Sequence, residues 1–306
     1  MSSPPSTPTA PPGTPGSSGL ASDSGMQQKS SNSNSSDSAG GREAAPVRYR
    51  ARVEYDGTDF AGFQLQPGAR TVQGELEAAL ARLNRGVRVR VDGAGRTDAG
   101  VHALDQVIAF TWTGRLSADE LGRAFQAGLP KDVAIRDLRR APRRFHPRFA
   151  ARYREYRYTV WNGPRSPLRE RFALGLRAPL DTAAMERAGS ALVGRHDFSA
   201  FGAADRQPVR TLRWVRVRRA GSLVTIDVAG DAFLRQMVRR IVAILLEVGR
   251  GSLDEAAVGE AHASRVPALY GAVAPARGLC LRRVVLGRTA DRSGQQATEQ
   301  GKTQER

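Results

Sequence analysis

The chain concentrates its chemically capable residues in one segment, Gly93-Ala94-Gly95-Arg96-Thr97-Asp98-Ala99-Gly100-Val101-His102. Glycines permit a tight turn and a close approach of the backbone to a ligand. Asp98 supplies a single carboxylate, which can act as a nucleophile or as one base when a cation such as Arg96 is nearby. An aspartate in an ordinary turn is the simpler interpretation. The segment is not a dinucleotide-binding fingerprint, because its third glycine falls too late and no helix pattern follows.

The charge of the chain indicates a polyanionic partner. Its net charge is +17 at pH 7, and all 47 basic residues except Lys29, Lys131 and Lys302 are arginine. The planar guanidinium of arginine binds phosphates through two parallel hydrogen bonds and stacks on bases, which a lysine ammonium does not. A GC-rich genome would explain arginine in place of lysine, but not the excess of basic over acidic residues. We therefore expect a nucleic-acid partner.

Composition divides the chain into a folded part and two tails. Residues 1–46 are rich in Ser, Pro and Gly, so we predict a disordered N-terminal extension. It lacks the apolar run of a signal peptide. Residues 290–306 are predicted to be a second disordered tail. The positive charge is therefore expected on residues 47–289.

Composition also argues against several classes of site. Cys280 is the only cysteine, which leaves no internal disulfide and fits a reducing compartment such as the cytoplasm. Uncharged apolar runs stay below about 18 residues, so we predict no membrane span. The four histidines and the cysteine do not have metal-ligand spacing, so we predict no metal site.

Apolar periodicity predicts the elements that must position the Asp98 segment. Alternation predicts strands over 47–55, 87–91, 106–112 and 133–138, with helices after Thr71 and Ser117. The second part repeats this pattern, with strands over 154–161, 211–218, 223–229 and 278–286 and helices after Asp181, from Asp231 to Val248 and over 254–262. We predict an α+β fold of two β-α-β-β-α-β (ferredoxin-like) halves, 47–150 and 151–289. Their strands are expected to form a mainly antiparallel sheet with helices packed on one face.

Motifs along the chain resemble the tRNA pseudouridine synthase A family. Gly95–Ala103 reads GRTDAGVHA, the signature of that family, without a break. The resemblance continues in order at Tyr55-Asp-Gly-Thr58, Gly62-Phe-Gln64, Thr71-Val-Gln73, Phe145-His146, Arg148-Phe-Ala150, Tyr156-Arg-Tyr158, His196-Asp-Phe198, Phe233-Leu234, Met237-Val-Arg239, Pro275-Ala276 and Gly278-Leu279. It spans nearly all of residues 47–286.

The resemblance implies a pseudouridine synthase fold and an isomerase that converts uridine to pseudouridine at positions 38, 39 and 40 of the anticodon arm of tRNA. Uracil is detached from C1′, turned over and rejoined through C5, without a cofactor or metal. Asp98 is implied to be the catalytic carboxylate. It attacks the ribose, attacks the base or removes a C2′ proton, and the sequence leaves these roles open. A homodimer that holds one tRNA across both subunits is also implied.

Two residues in the second half match family positions beside the catalytic acid. Tyr156 matches the active-site tyrosine and is expected to stack on the everted uracil, with Tyr158, on the same side of the strand, as the competitor. Arg239 matches the arginine that pairs with the acid. Because it lies on an apolar helix, its charge is costly unless paired, although the side chain could instead reach solvent.

The remaining candidates concern RNA contact. A base must leave its stack to be modified, and Arg96 is expected to fill the vacated space or to hold the flanking phosphate, unless it is a plain surface arginine. Phe233 and Leu234 either line the uracil pocket or pack in the helix core. The histidines in the motifs are expected to be structural, hydrogen-bonded residues. A non-catalytic RNA-binding protein or RNA-folding chaperone, and a hydrolase that uses Asp98, are the competing functions.

Overall fold

The computed structural model describes residues 45–202, 207–264 and 272–287. The strands within them are β1 Val47–Tyr55, β2 Asp92–Gly93, β3 His102–Trp112, β4 Val133–Arg140, β5 Ala151–Asn162, β6 Leu174–Leu176, β7 Gly194–Asp197, β8 Val209–Ala220, β9 Leu223–Gly230 and β10 Leu279–Leu286. The helices are α1 Val72–Leu83, α2 Ala118–Ala127, α3 Pro147–Ala150, α4 Thr182–Ser190, α5 Met237–Gly249 and α6 Glu255–Ser264. The predicted tail 290–306, and residues 1–44 of the predicted N-terminal extension, lie outside the described residues.

One mixed sheet runs through both predicted halves. Its strand order is β4-β1-β3-β10-β5-β9-β8-β7, with β2 beside β3 and β6 beside β5. The pairs are antiparallel except β10 with β3 and β5 with β6. The parallel pair, in which Cys280 faces His102 and Leu281 faces Ala103, joins the halves. The structure thus confirms the α+β class and the mainly antiparallel sheet. The division at residue 150 stays a prediction.

The two faces of this sheet have opposite character. Alternate residues of β1 are buried on one face, while the intervening ones are arginines and a glutamate on the other. Helix α2 packs on the apolar face, where Phe125 lies edge-on to Phe110 of β3 at 5.6 Å. Helix α4 approaches β8 so closely that a Cβ at Gly189 would lie 2.7 Å from Val215. One cross-strand row on this face contains Tyr55, Ala103, Leu281, Tyr156, Val228 and Val215.

Three predicted helix starts are confirmed by their caps. The Thr71 hydroxyl accepts a hydrogen bond from the Gly74 amide. Ser117 and Glu120 form a reciprocal capping box at the start of α2. The Asp181 carboxylate accepts hydrogen bonds from two amides in the first turn of α4. These local side-chain bonds satisfy amides that the helix itself leaves unpaired, which is why the sequence alone locates them.

The predicted cap at Asp231 is wrong. Helix α5 begins at Met237, after Gln236 in a left-handed conformation with φ 64°. The Asp231 carboxylate instead accepts hydrogen bonds from the amides of Thr211 and Ala232. Asp231 therefore makes a tertiary contact with β8, although the local pattern predicts that it caps a helix. Phe233 and Leu234 consequently lie in a loop before α5 and not within a helix.

The predicted strand over 87–91 is also wrong, since only Asp92–Gly93 pairs with β3. The buried valines that gave the alternation pack inward, but Val91 hydrogen-bonds to helix α1: its amide donates to Glu77 and its carbonyl accepts from Gln73. The short elements α3, β6 and β7 were not predicted, because segments of three or four residues carry too little periodicity.

Candidate active site

The loop that carries Asp98 spans residues 94–101 and connects β2 to β3. At its start, the Ala94 amide donates to the Val107 carbonyl at 2.8 Å. The Gln106 side chain, which is fully buried, donates to the Gly95 carbonyl at 2.9 Å. These bonds attach the beginning of the loop to the central strand of the sheet.

Further bonds hold the loop on both sides of Asp98. Buried hydroxyls of Tyr55 and Thr97 share a hydrogen bond of 2.8 Å, and the Thr97 carbonyl accepts from the Phe63 amide at 3.1 Å. The Gly100 amide donates to the Phe60 carbonyl at 3.2 Å, and Gly100 has φ 75°. A positive φ at this position favours glycine. Residues 97 and 100 are thus fixed, so the backbone of Asp98 is held between two anchored points.

Arg154 connects this loop to the second half of the chain. Its side chain is buried and projects from β5, two residues before Tyr156. The guanidinium donates to the carbonyls of Ala94 (2.5 Å), Arg148 (3.1 Å) and Asp231 (2.5 Å). This one side chain therefore fixes the position of the start of the Asp98 loop relative to α3 and to the loop that follows β9.

Asp98 and Arg239 are brought together across the halves. An Nη of Arg239 lies 3.8 Å from Oδ2 of Asp98, and the two side chains are 15% and 29% exposed respectively. Arg239 is held by its Nε, which donates to the Ala274 carbonyl at 2.7 Å. Burial lowers the pKa of Arg239, and the Asp98 carboxylate opposes that shift. A guanidinium stays charged under such a shift, so Asp98 faces a fixed cation while remaining open to solvent.

Tyr156 lies close enough to Asp98 for the carboxylate to affect its phenol. Its side chain is 7% exposed, and its ring meets Phe233 edge-to-face at 5.1 Å. Burial raises the pKa of Tyr156 to about 12; Arg154 lowers it, and the Asp98 carboxylate raises it further. The phenol is therefore neutral near pH 7. Tyr158, the competitor, is fully buried and donates its hydroxyl to the Pro275 carbonyl at 2.9 Å.

The other predicted site residues have different exposures. Arg96 is exposed and Phe233 is half-buried, so both are within reach of a bound molecule. Leu234 is 5% exposed and lies over Gly202, where an added Cβ would be 2.4 Å from it. The structure therefore buries Leu234 in the core packing against Gly202, whereas Phe233 lies against Tyr156.

The three histidines within the motifs all form hydrogen bonds with backbone groups. His102 is buried, accepts from the Gly57 amide through Nδ1 at 3.0 Å, and has Nε2 3.2 Å from the Arg277 carbonyl. Burial lowers the pKa of His102, although Asp56 opposes the shift. His146 accepts from the Arg148 amide, and His196 Nε2 lies 2.9 Å from the Val193 carbonyl.

Sequence reasoning missed Arg154, although a signal for it existed. On its face of β5 the neighbours at alternate positions are Tyr156, Tyr158 and Val160, all buried. A charged side chain in such a row must find hydrogen-bond acceptors, which marks it as a structural anchor.

The described residues contain no group of three or more His, Cys, Asp or Glu side chains arranged to hold a metal. No described helix has the length and apolar character to cross a membrane.

A partly exposed carboxylate that faces an arginine and lies near a buried tyrosine, on the mixed sheet of a strongly basic chain, is an arrangement suited to an enzyme that acts on a nucleic acid. Comparison with known proteins makes this specific. The model of a family described as tRNA pseudouridine synthase matches residues 51–150 and 188–285. These two ranges contain Asp98 and Arg239.

Curated relatives agree with the family model. The tRNA pseudouridine synthase A of Halalkalibacterium halodurans is 40% identical over 236 residues, which cover 76% of this chain and 90% of the relative. That of Geobacillus kaustophilus is 41% identical over 241 residues (78% and 93%). That of Methylococcus capsulatus is 44% identical over 239 residues (77% and 88%). The chain therefore belongs to the tRNA pseudouridine synthase A family and is an isomerase.

Proposed function

We propose that this enzyme isomerises uridine to pseudouridine at positions 38, 39 and 40 of tRNA, with Asp98 as the catalytic carboxylate. The observation that carries the proposal is the 3.8 Å pairing of Asp98 with Arg239. These residues come from opposite halves of the chain and meet at a partly exposed point. A basic, arginine-rich chain matches an RNA substrate.

The reaction breaks the bond between N1 of uracil and C1′ of the ribose and forms a bond between C5 and C1′. C5 loses its proton and N1 gains one, so the product has the mass of the substrate. The target base must first leave the stack, which costs on the order of a few kcal/mol. Asp98 acts on the everted nucleoside by attack on the ribose, by attack on the base or by removal of the C2′ proton.

The neighbours of Asp98 have separable parts in this scheme. Arg239 keeps a cation beside the carboxylate throughout the reaction. Tyr156 is a neutral phenol at physiological pH, and its ring supplies a stacking surface for uracil. Phe233 packs edge-to-face with this ring. Exposed Arg96 binds the phosphate beside the everted nucleotide or fills the space that the base leaves. Leu234 supports this pocket from below.

Unmodified tRNA transcripts test the function directly. Incubation with the enzyme is expected to produce pseudouridine at positions 38 to 40 without a change in RNA mass, measured by mass spectrometry and by chemical mapping. Release of free uracil would instead indicate a hydrolase. Tight binding of tRNA with no product would indicate a non-catalytic RNA-binding protein or chaperone. Modification outside the anticodon arm would redirect the substrate assignment.

The assembly and location are part of the same proposal. We place the enzyme in the cytoplasm, which the lone Cys280 and the tRNA substrate both favour. We also propose a homodimer that holds one tRNA across both subunits. Light scattering that gives the mass of a single chain would overturn the dimer without affecting the chemistry.

Arg154 is expected to act as a positioning residue. In Arg154→Lys the charge is kept, but a lysine ammonium cannot reach all three carbonyls that the guanidinium binds. We expect kcat to fall by about tenfold with KM changed less than threefold, because the loop shifts relative to Arg239. Arg152→Lys, an exposed position on the same strand, is the matched control. Unchanged kcat in a stably folded Arg154→Lys enzyme would show that the loop does not depend on this anchor.

A further inference from the structure

A groove of about 390 Å³ lies beside the segment that leads into the Asp98 loop. Its lining includes Arg48, Arg88, Arg90, Asp92, Thr111 and Thr113. We call it the Arg88–Arg90 groove. Three arginines meet two carboxylates there, Asp92 in the lining and Glu77, which pairs with Arg88. The groove therefore has a net positive charge, and its lining also includes two threonines. None of these residues belongs to the candidate active site.

The backbone of this segment does not take part in the sheet. Val89 and Val91 are buried, while Arg88 and Arg90 between them are exposed. Because the segment does not pair in the sheet, the N–H groups of residues 88 to 90 make no hydrogen bond with any described residue. Unpaired amides beside arginines are the groups that bind phosphate oxygens in protein–nucleic acid contacts.

Each exposed arginine of the groove is paired with a carboxylate through Nε only. Nε of Arg88 lies 2.7 Å from a Glu77 oxygen, and Nε of Arg90 lies 3.3 Å from an Asp92 oxygen. The side chains are nevertheless 62% and 81% exposed. In the described part of the chain their terminal amino groups have no hydrogen-bond partner. Each fork is therefore oriented by one carboxylate and open to an external anion, and such forks match phosphate geometry.

The groove is continuous with the catalytic loop along the chain. Asp98 is eight positions after Arg90 in the chain, which limits the distance between their Cα atoms to at most about 28 Å. One structured RNA of several nucleotides can reach both places. From this position, the net positive charge and the two exposed arginine side chains, we propose that the Arg88–Arg90 groove binds the phosphate backbone of the tRNA away from the uridine at Asp98. This inference rests on the proposed function, because it takes tRNA as the substrate.

The test compares steady-state kinetics and tRNA binding across salt concentrations. In Arg88→Ala/Arg90→Ala we expect KM for tRNA to rise about tenfold with kcat within twofold, since phosphate contacts position the RNA but do not touch the reacting atoms. The slope of log affinity against log salt is expected to fall in magnitude by about 1.5–2. Arg88→Lys/Arg90→Lys is expected to restore most of the salt slope.

Controls separate the groove from general electrostatics and from folding. Arg123→Ala/Arg195→Ala removes two exposed arginines on α2 and β7 and is expected to leave KM within twofold. An equal rise in this control would overturn the proposal. Arg90→Ala alone keeps the Arg88 pairing with Glu77, so it is measured if the double variant does not fold, and a rise in KM of about threefold is expected.

Two outcomes distinguish this inference from its premise. If the unchanged enzyme forms no pseudouridine, the proposed function fails, and binding of tRNA measured by fluorescence anisotropy still tests the groove. If the double variant keeps its tRNA affinity but loses affinity for a short poly-glutamate peptide, the groove belongs to an acidic protein partner and our proposal is wrong.

Discussion

Replacement of Asp98 with asparagine is expected to abolish pseudouridine formation while tRNA still binds. Asparagine keeps the size of the side chain and its place on the anchored loop, but it removes the charge and the capacity to attack or to accept a proton. Loss of a residue that takes part in bond making costs at least about 10⁴-fold in kcat. Because RNA affinity comes mainly from arginine contacts with phosphates, the dissociation constant should change less than threefold. Pseudouridine mapping and anisotropy binding measure the two quantities.

Asp119→Asn is the control for this prediction. It makes the same chemical change at an exposed carboxylate on helix α2 and should leave activity unchanged. If Asp98→Asn keeps a substantial part of its activity, the carboxylate does not carry the reaction. If it loses tRNA binding as well, Asp98 shapes the RNA site, and the chemical role then needs separate proof.

Arg239→Ala is expected to have the second largest effect. It removes the cation 3.8 Å from Asp98 and also the hydrogen bond to the Ala274 carbonyl. Removing one preorganised electrostatic partner of the reacting groups typically raises the activation free energy by about 2.7–4 kcal/mol. Both side chains here are partly exposed, so we expect about 2–3 kcal/mol, or roughly 30–150-fold in kcat. Arg239→Lys keeps the charge without the fork and should recover about half of that free energy.

Arg250→Ala, at the far end of α5, is the matched control. Its ion pair with Glu247 is a surface pair three residues apart, which contributes a few tenths of a kcal/mol. Thermal unfolding of each variant separates lost stability from lost catalysis. A fall in the melting temperature of Arg239→Ala with kcat unchanged would make Arg239 a structural residue and not a partner of Asp98.

The single sheet brings together site residues that are far apart in the sequence. Asp98 lies in the first half, while Tyr156, Phe233 and Arg239 lie in the second. The parallel pairing of β10 with β3 places Leu281 between Ala103 and Tyr156 in one row. The same row holds Tyr156 and, at one end, Tyr55, whose hydroxyl is bonded to Thr97 of the Asp98 loop. Separate halves would not hold these groups in register.

Much of this protein follows from the sequence by itself. Periodicity gave β1, β5 and the hairpin strands, because side chains that alternate along a strand report directly on which face is buried. Local hydrogen bonds located the helix starts at Thr71, Ser117 and Asp181. The unbroken GRTDAGVHA run identified the family, because that combination of residue types is far rarer than any of its parts.

Only the tertiary structure decided the features that depend on distant partners. Asp231 bonds to the amide of Thr211 and not to a helix, and Val91 bonds to Glu77 and not to a strand. Local pattern carries no information about such contacts, because the hydrogen-bond partner lies 14 or more residues away in the sequence. The same is true of Arg154, which binds three carbonyls from distant segments, and of the exposed guanidinium groups in the Arg88–Arg90 groove. Their geometry exists only once separate segments have folded against one another.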